Sequence, residues 1–324
     1  MNNTRNMVIL LFVLGLLAAF YFLFVAGESG SSFAETETAF SVSDTGAVEK
    51  IVVRRISKEK ETEKLELEKQ PDGTWRLNGK YLAFRPKVSN LLNVLNKLIV
   101  KEPLNDKGVE TALLRMKKYH LDVEVISSAG ENRAYRIGPT NAEQTGNYML
   151  LKGSEKPYVM TRAGVQVGYV SIFFEPVEES WRDNEFFSAA AADLSSVEVI
   201  SKEGGGGFIL TRNGDRFELS GAGESDTQKV AQYIALYQGS INAESFAGKD
   251  HPRALDSLGR MTPDWKMILK LKDGREFTLI LFDRPGNNEN YFAWRTDRGE
   301  LLTVQKYLID AFLMRRNALL KNTP

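Results

Sequence analysis

After about residue 46 the chain is written twice, at an offset of about 142 residues, and this feature constrains its fold more than any other. Trp75-Arg76-Leu77 followed by Gly79 matches Phe217-Glu218-Leu219 followed by Gly221, and a turn dipeptide precedes each, Asp72-Gly73 and Asn213-Gly214. Val88, Leu91, Leu92 and Leu95 stand at i, i+3, i+4 and i+7, and Val230, Tyr233, Ile234 and Tyr237 repeat that spacing. Each set draws one apolar stripe along a helix. Further on, Tyr135-Arg136-Ile137 matches Phe277-Thr278-Leu279, Asn147-Tyr148 matches Asn290-Tyr291, and Met160-Thr161 matches Leu302-Thr303. The period is far longer than the roughly 20–50 residues of solenoid repeats, so two similar bodies are expected rather than an array. The matched positions are chiefly apolar or turn-forming, which a common core requires.

The plan of each copy reads as strands first, over 50–55, 64–68 and 74–77, joined by a Pro-Asp-Gly turn and followed by a helix opened by Pro86. A short helix over 108–118 leads to four more strands near 122–127, 133–137, 148–151 and 158–161, closed by a helix around 165–174. The second copy repeats the plan through a helix over 306–320. Antiparallel strands with helices on a face give an α+β fold in each half. The expected divisions are 46–175 for the first repeat, 176–194 for an acidic and aromatic connector, and 195–324 for the second repeat.

Ahead of the first copy, Met7 to Gly27 is a run of 21 residues without a charge. At 1.5 Å per residue it spans roughly 30 Å, the thickness of a bilayer's hydrocarbon. A cleaved secretory signal is the competing reading, with Val25-Ala26-Gly27 imitating a cleavage site. Its apolar region would be about 7–15 residues, however, and Phe20, Tyr21, Phe22 and Phe24 crowd the exit of this one. Arg5 precedes the run, and Glu28, Glu35 and Glu37 follow it. That asymmetry puts the amino terminus in the cytoplasm and the body outside it. Residues 28–45, rich in Gly, Ser, Thr and Glu, read as a tether.

Composition excludes several chemistries. Lys plus Arg number 42 against 42 Asp plus Glu, which argues against a basic nucleic-acid binder. Cysteine is absent and histidine occurs only at His120 and His251, neither in a metal-binding spacing. Both read as surface residues. Gly221-Ala222-Gly223-Glu224-Ser225 lies where a phosphate loop would, but it lacks the third glycine and a following Lys-Ser/Thr pair. Ser225 with Gln228 reads as a capping box, and Gly204 to Gly207 as a hairpin loop. Glu175, Glu178, Glu179, Asp183 and Glu185 cluster around Trp181 without the spacing of a calcium loop, and read as a solvated connector. No catalytic, cofactor-binding or metal-ligating residue is assigned, and no enzymatic activity is expected. The candidate interaction residues are Arg115 and Arg260, each near a methionine before the second strand group, with Tyr148, Tyr291 and Trp181.

The N-terminal span, the strand ending in Val52-Val53, Asp72-Gly73-x-Trp75-x-Leu77, the 88–98 helix, Met116-Lys117-Lys118-Tyr119-His120-Leu121-Asp122, Tyr135-Arg136-Ile137-Gly138 and Asn147-Tyr148 together resemble the domain of unknown function 4340 family. The resemblance covers most of the chain, although the family often has glycine where His120 stands. It transfers no active site. It implies a bacterial, membrane-anchored, extracytoplasmic protein, in a family of which some members accompany ABC transporters of the gliding-motility type. The expectation is therefore a single-pass inner-membrane accessory or scaffold subunit of a transport or envelope complex, with protein partners. The alternative is a binding module for an envelope glycan, peptide or lipid.

Overall fold

The structure, a computed structural model, describes residues 38–321 except 166–167, 205, 222, 248–253 and 285. The 7–27 span, residues 28–37 of the tether and His251 lie outside the described residues, and the tether reading fails over 38–45, where Phe40 and Val42 are fully buried in the core of the first unit. No helix among the described residues is long and apolar enough to cross a membrane. The chain divides into two compact units, Met1–Asp183 and Asn184–Pro324. Each is an α+β body on one large antiparallel sheet.

In the first unit, strands β1 (Val48–Ser57), β2 (Lys60–Lys69), β3 (Trp75–Leu77) and β4 (Tyr81–Leu82) run as successive hairpins. Asn78 and Gly79 turn β3 into β4 with φ of +50° and +68°. This is the left-handed pair that an Asn-Gly hairpin turn supplies. Helix α1 (Arg85–Asn96) follows, with Pro86 in its first turn and Val88, Leu91, Val94 and Leu95 buried. Strand β5 (Leu98–Pro103) and helix α2 (Asp106–Lys118) come next, and the Asn105 side chain caps α2 by accepting from the Gly108 amide at 2.8 Å. Strands β6 (Tyr119–Ser127), β7 (Arg133–Thr140), β8 (Asn147–Leu151) and β9 (Tyr158–Arg162) form a meander. The sheet order is β4-β3-β2-β1-β6-β7-β8-β9-β5. Its inner face packs on α1 through Ile51, Val53, Leu65, Leu67, Val123 and Tyr135, and its outer face packs on α2 through Tyr148, Leu150 and Val159.

The second unit repeats this order. Short helix α3 (Glu178–Trp181) ends the first unit, and strand β10 (Glu185–Ala190) opens the second. Then come β11 (Leu194–Ser201), β12 (Phe208–Asn213), β13 (Arg216–Leu219), α4 (Thr227–Ile234), β14 (Gln238–Asn242), β15 (Ser245–Phe246), α5 (Ala254–Leu258), β16 (Trp265–Leu271), β17 (Glu276–Arg284), β18 (Asn287–Arg295), β19 (Glu300–Gln305) and α6 (Lys306–Ile309). The order β13-β12-β11-β16-β17-β18-β19-β15 matches that of the first unit strand for strand, except that β4 has no counterpart. Even an irregularity is shared: the pairing of β1 with β6 shifts between Val48 and Lys50, and that of β11 with β16 between Leu194 and Ser196.

Both units close the same way. The Phe84 amide donates to the Trp181 carbonyl at 2.8 Å, and the Asp226 amide donates to the Leu319 carbonyl at 2.9 Å. Asp183 then donates to Leu82, and Lys321 to Glu224. Trp181 and Leu319 are fully buried plugs at equivalent places. The Trp181 indole donates to the Glu175 carbonyl at 2.8 Å, and the Lys87 ammonium lies 4.5 Å from its ring centre.

Several expectations are corrected. The stretch 176–194 holds α3, β10 and the plug Trp181, so a solvated connector does not describe it. The closing helices of the copies are mostly short 3-10 turns, Ser171–Phe173 in the first and Asp310–Phe312 with Arg316–Leu319 after α6 in the second. The cap of α4 is Asp226, not Ser225, and its carboxylate accepts from the Gln228 and Lys229 amides. His120 is buried, its Nδ1 2.7 Å from the Met116 carbonyl. The register also separates two residues that the sequence pairs. Met149 and Ala293 are equivalent, which places Tyr148 opposite Phe292 and Asn147 opposite Tyr291. Tyr148 therefore faces α2 on the outer side, and Tyr291 belongs to the inner core.

The plugs set the first prediction. Trp181→Ala should lower the unfolding free energy by about 3–5 kcal/mol and Leu319→Ala by about 2–5 kcal/mol. Tyr307→Ala, at an exposed position, should change it by less than about 0.5 kcal/mol. Urea titration of the full chain followed by circular dichroism checks all three.

Candidate interaction surfaces

The sequence-selected residues do not converge. Arg115 lies exposed on α2 and donates to the Thr140 carbonyl at 3.0 Å. Tyr148 is 5% exposed among Ala112, Met116 and Leu150. Trp181 is the plug already described. Arg260 is exposed beyond α5, and its neighbour Met261 is exposed too, whereas Met116 beside Arg115 is buried. Tyr291 is 6% exposed and its hydroxyl donates to Asp310 Oδ1 at 2.8 Å, which with burial raises its ionisation well above the ordinary tyrosine value. All five are held by structural contacts or stand alone. The carboxylates near Trp181 also disperse: Glu175 pairs with Arg55, Glu178 accepts from Asn78, and Glu185 accepts from Ser240 of the second unit. Among the described residues no group of three His, Asp or Glu is placed to hold a metal ion.

What distinguishes the units is the outer face of each sheet. On the first, Lys50 bonds Glu66 at 2.6 Å, Arg54 meets Glu124 at 3.3 Å, and Arg136 meets Asp122 at 3.3 Å. The strand register maps Arg54 onto Ile200, Glu66 onto Ile209, Glu124 onto Ile268 and Arg136 onto Ile280. Four charged residues are thus replaced by isoleucine on one backbone, while in the other direction Val52 and the exposed Ile126 of the first unit become Glu198 and Lys270. Ile200 and Ile209 are each 41% exposed, and Ile268 and Ile280 are half-buried. One row runs Ile200, Lys266, Ile280, Trp294 and Leu301 across five strands. The buried indole N–H of Trp294 in that row has no hydrogen-bond partner among the described residues. Ile280, Trp294 and Leu301 pack with Leu258 of α5, whereas Ile200 and Ile209 stay exposed, and apolar side chains at outward strand positions are unusual unless something covers them. Aligning the two copies by strand register, rather than by matching residues, would have exposed this substitution.

A second difference lies at the sheet edge. In the first unit the chain after β3 returns as β4, with Leu77 paired to Tyr81 and Arg76 to Leu82. In the second unit Ser220-Gly221 stands where Asn78-Gly79 makes that turn. Serine does not favour the left-handed conformation as asparagine does. Gly221 takes a φ of +93°, the chain leaves the sheet, and among the described residues no strand pairs with the outer edge of β13. Beside that edge a cleft of about 580 Å³ opens between β13 and α4. Phe217, Val230, Ala231 and Ile234 contribute its apolar lining, and Arg212, Asp215, Arg216 and Gln228 its polar one. Arg212 is fixed, donating to the Leu194 carbonyl at 2.7 Å and the Ala191 carbonyl at 2.5 Å, with its guanidinium 4.5 Å from the Phe217 ring centre.

Comparison with models of protein families, with curated proteins and with solved structures finds no match to this chain.

The ion-paired face sets a pH prediction. The Lys50 ammonium holds the Glu66 carboxyl below its ordinary value. Burial acts to raise Asp122, but His120 and Arg136 override it and leave that carboxyl lowered as well. A carboxyl lowered in the folded state binds its proton more readily when unfolded. It therefore contributes stability above its unfolded value, and that contribution is lost as pH falls through the folded one. The thermal midpoint of the full chain should drop between about pH 6 and about pH 3, and Glu66→Gln with Asp122→Asn should make the drop smaller. Calorimetry across that range checks both.

Proposed function

We propose that the chain is a single-pass membrane protein, anchored by Met7 to Gly27 with its amino terminus cytoplasmic, whose duplicated body works on the periplasmic or extracellular side as an accessory or scaffold subunit of a bacterial transport or envelope complex. The uncharged 21-residue run supports the anchor, and the resemblance to membrane-anchored extracytoplasmic proteins supports the setting. The observation that carries the interaction role is the isoleucine face of the second unit. The first unit shows that the same backbone tolerates ion pairs at those positions. Folding therefore does not require isoleucine there, and coverage by a partner protein accounts for it.

The test exchanges the surfaces. Ile200→Arg, Ile209→Glu and Ile268→Glu together give the second unit the residues that Arg54, Glu66 and Glu124 supply in the first. Tagged full-length protein, purified from its own membranes in mild detergent, should bring a stoichiometric protein partner, and the triple variant should fold equally well and lose it. A wild-type protein that purifies alone, or a triple variant that keeps the partner, contradicts the role. Anchoring is checked separately: alkaline carbonate should leave the full chain in the membrane pellet, and protease added to spheroplasts should digest the body.

A further inference from the structure

We infer that the open edge of β13 captures an extended peptide segment of a partner, which adds to the sheet as a further antiparallel strand, places one large apolar side chain in the cleft against α4, and carries carboxylates on either side of it. The inference rests on reading the second unit as the interacting half, and it names the chemistry recognised there.

The first unit supplies the internal template. Its β4 occupies the edge of β3 with the Lys80 amide donating to the Leu77 carbonyl at 3.0 Å and the Ala83 amide donating to the Trp75 carbonyl at 2.8 Å. Phe217 and Leu219 are the equivalents of Trp75 and Leu77 by register with the neighbouring strand. Their peptide groups therefore face the open edge of β13. An unpaired edge is costly to leave exposed because any extended chain can pair with it. The strand is short and carries the charged Arg216 and Glu218, but it has no proline, no bulge and no covering strand among the described residues. Strand addition uses such main-chain groups for affinity and adjoining pockets for selectivity.

The cleft supplies the selectivity. Side chains on one face of an added strand recur every second residue, so the strand offers alternate positions to the space between β13 and α4. Phe217, Val230, Ala231 and Ile234 provide an apolar seat. Arg212 is held by the Ala191 and Leu194 carbonyls, so the exposed Arg216, beside Asp215, is the arginine at the cleft that can turn to an incoming carboxylate. Arginine favours carboxylate because its planar fork bonds both oxygens. A segment reading acidic, x, aromatic, x, acidic meets the edge, the seat and the charge together.

The full chain in detergent is titrated against two fluorescein-labelled peptides, TETFTET and TKTFTKT, and binding is read by fluorescence anisotropy. The acidic peptide should bind more tightly than the basic one by on the order of tenfold, less so at high salt. Arg216→Glu should reverse the preference. In a second variant, residues 220–225 are replaced by the sequence Asn-Gly-Lys-Tyr-Leu-Ala of residues 78–83, which gives β13 its own covering strand. This graft should leave the unfolding midpoint at or above that of the wild type and weaken the acidic peptide by on the order of tenfold or more. Equal binding of the two peptides, or binding unchanged by a folded graft, overturns the inference. Concentration-dependent dimerisation that the graft abolishes, without peptide binding, also overturns it by making a second copy the occupant of the edge. If the peptides fail while the isoleucine triple variant still loses its partner, the strand-addition inference falls and the interaction role stands. If peptide binding follows the graft but no partner depends on the isoleucines, the reverse holds.

Discussion

Each unit depends on one long-range pairing of backbone strands, β1 with β6 in the first and β11 with β16 in the second. These pairs join the N-terminal hairpins to the C-terminal meander, and α1 or α4 must cross between them before the pairing forms. Once it forms, Ile51 and Val53 are set against Val125 and Val123, and Val197 and Val199 against Leu269 and Met267. The inner cores then follow from side-chain alternation, because a slip of one residue would turn every one of these side chains to the other face. The shared shift at Val48 and Leu194 fixes the same register in both copies.

With the backbone fixed in this way, the two copies have diverged where the core does not constrain them. Lys50 with Glu66 and Arg54 with Glu124 satisfy one outer face internally. Exposed pairs of this kind add little stability each, but they keep a sheet surface wet and unattractive to partners. The isoleucines of the second unit leave the equivalent positions apolar. The same contrast governs the edges, where Asn78-Gly79 turns a strand back on itself and Ser220-Gly221 releases it.

Much of the fold was legible because it is written in periodicities. The stripes Val88 to Leu95 and Val230 to Tyr237 specified the α1 and α4 faces, and the hairpin turns marked the strands between them. The plugs were not legible as a pair, since Trp181 and Leu319 share no identity and stand at a shorter offset than the other matches. Tyr148 and Tyr291 misled for a related reason. Identity of residue type suggested equivalence, whereas the pairing of β7 with β8 and β17 with β18 places them on opposite faces. The candidate surfaces were hidden because an apolar residue in a strand reads as core until the register shows which way it points. Ile200 and Ile209 read as core by residue type, and their exposure beside the buried Val199, Phe208 and Leu210 shows that they face outward, as Arg54 and Glu66 do.

On the proposed reading, one fold, copied, carries an ion-paired outer face in the first unit and a partner-binding face in the second. The most direct measurement places a photo-crosslinking amino acid at position 209 or, in a separate protein, at position 66, and irradiates cells producing each full-length chain. A discrete protein adduct is expected from position 209 and none from position 66. Adducts of equal yield from both positions, or none from position 209, would contradict that reading.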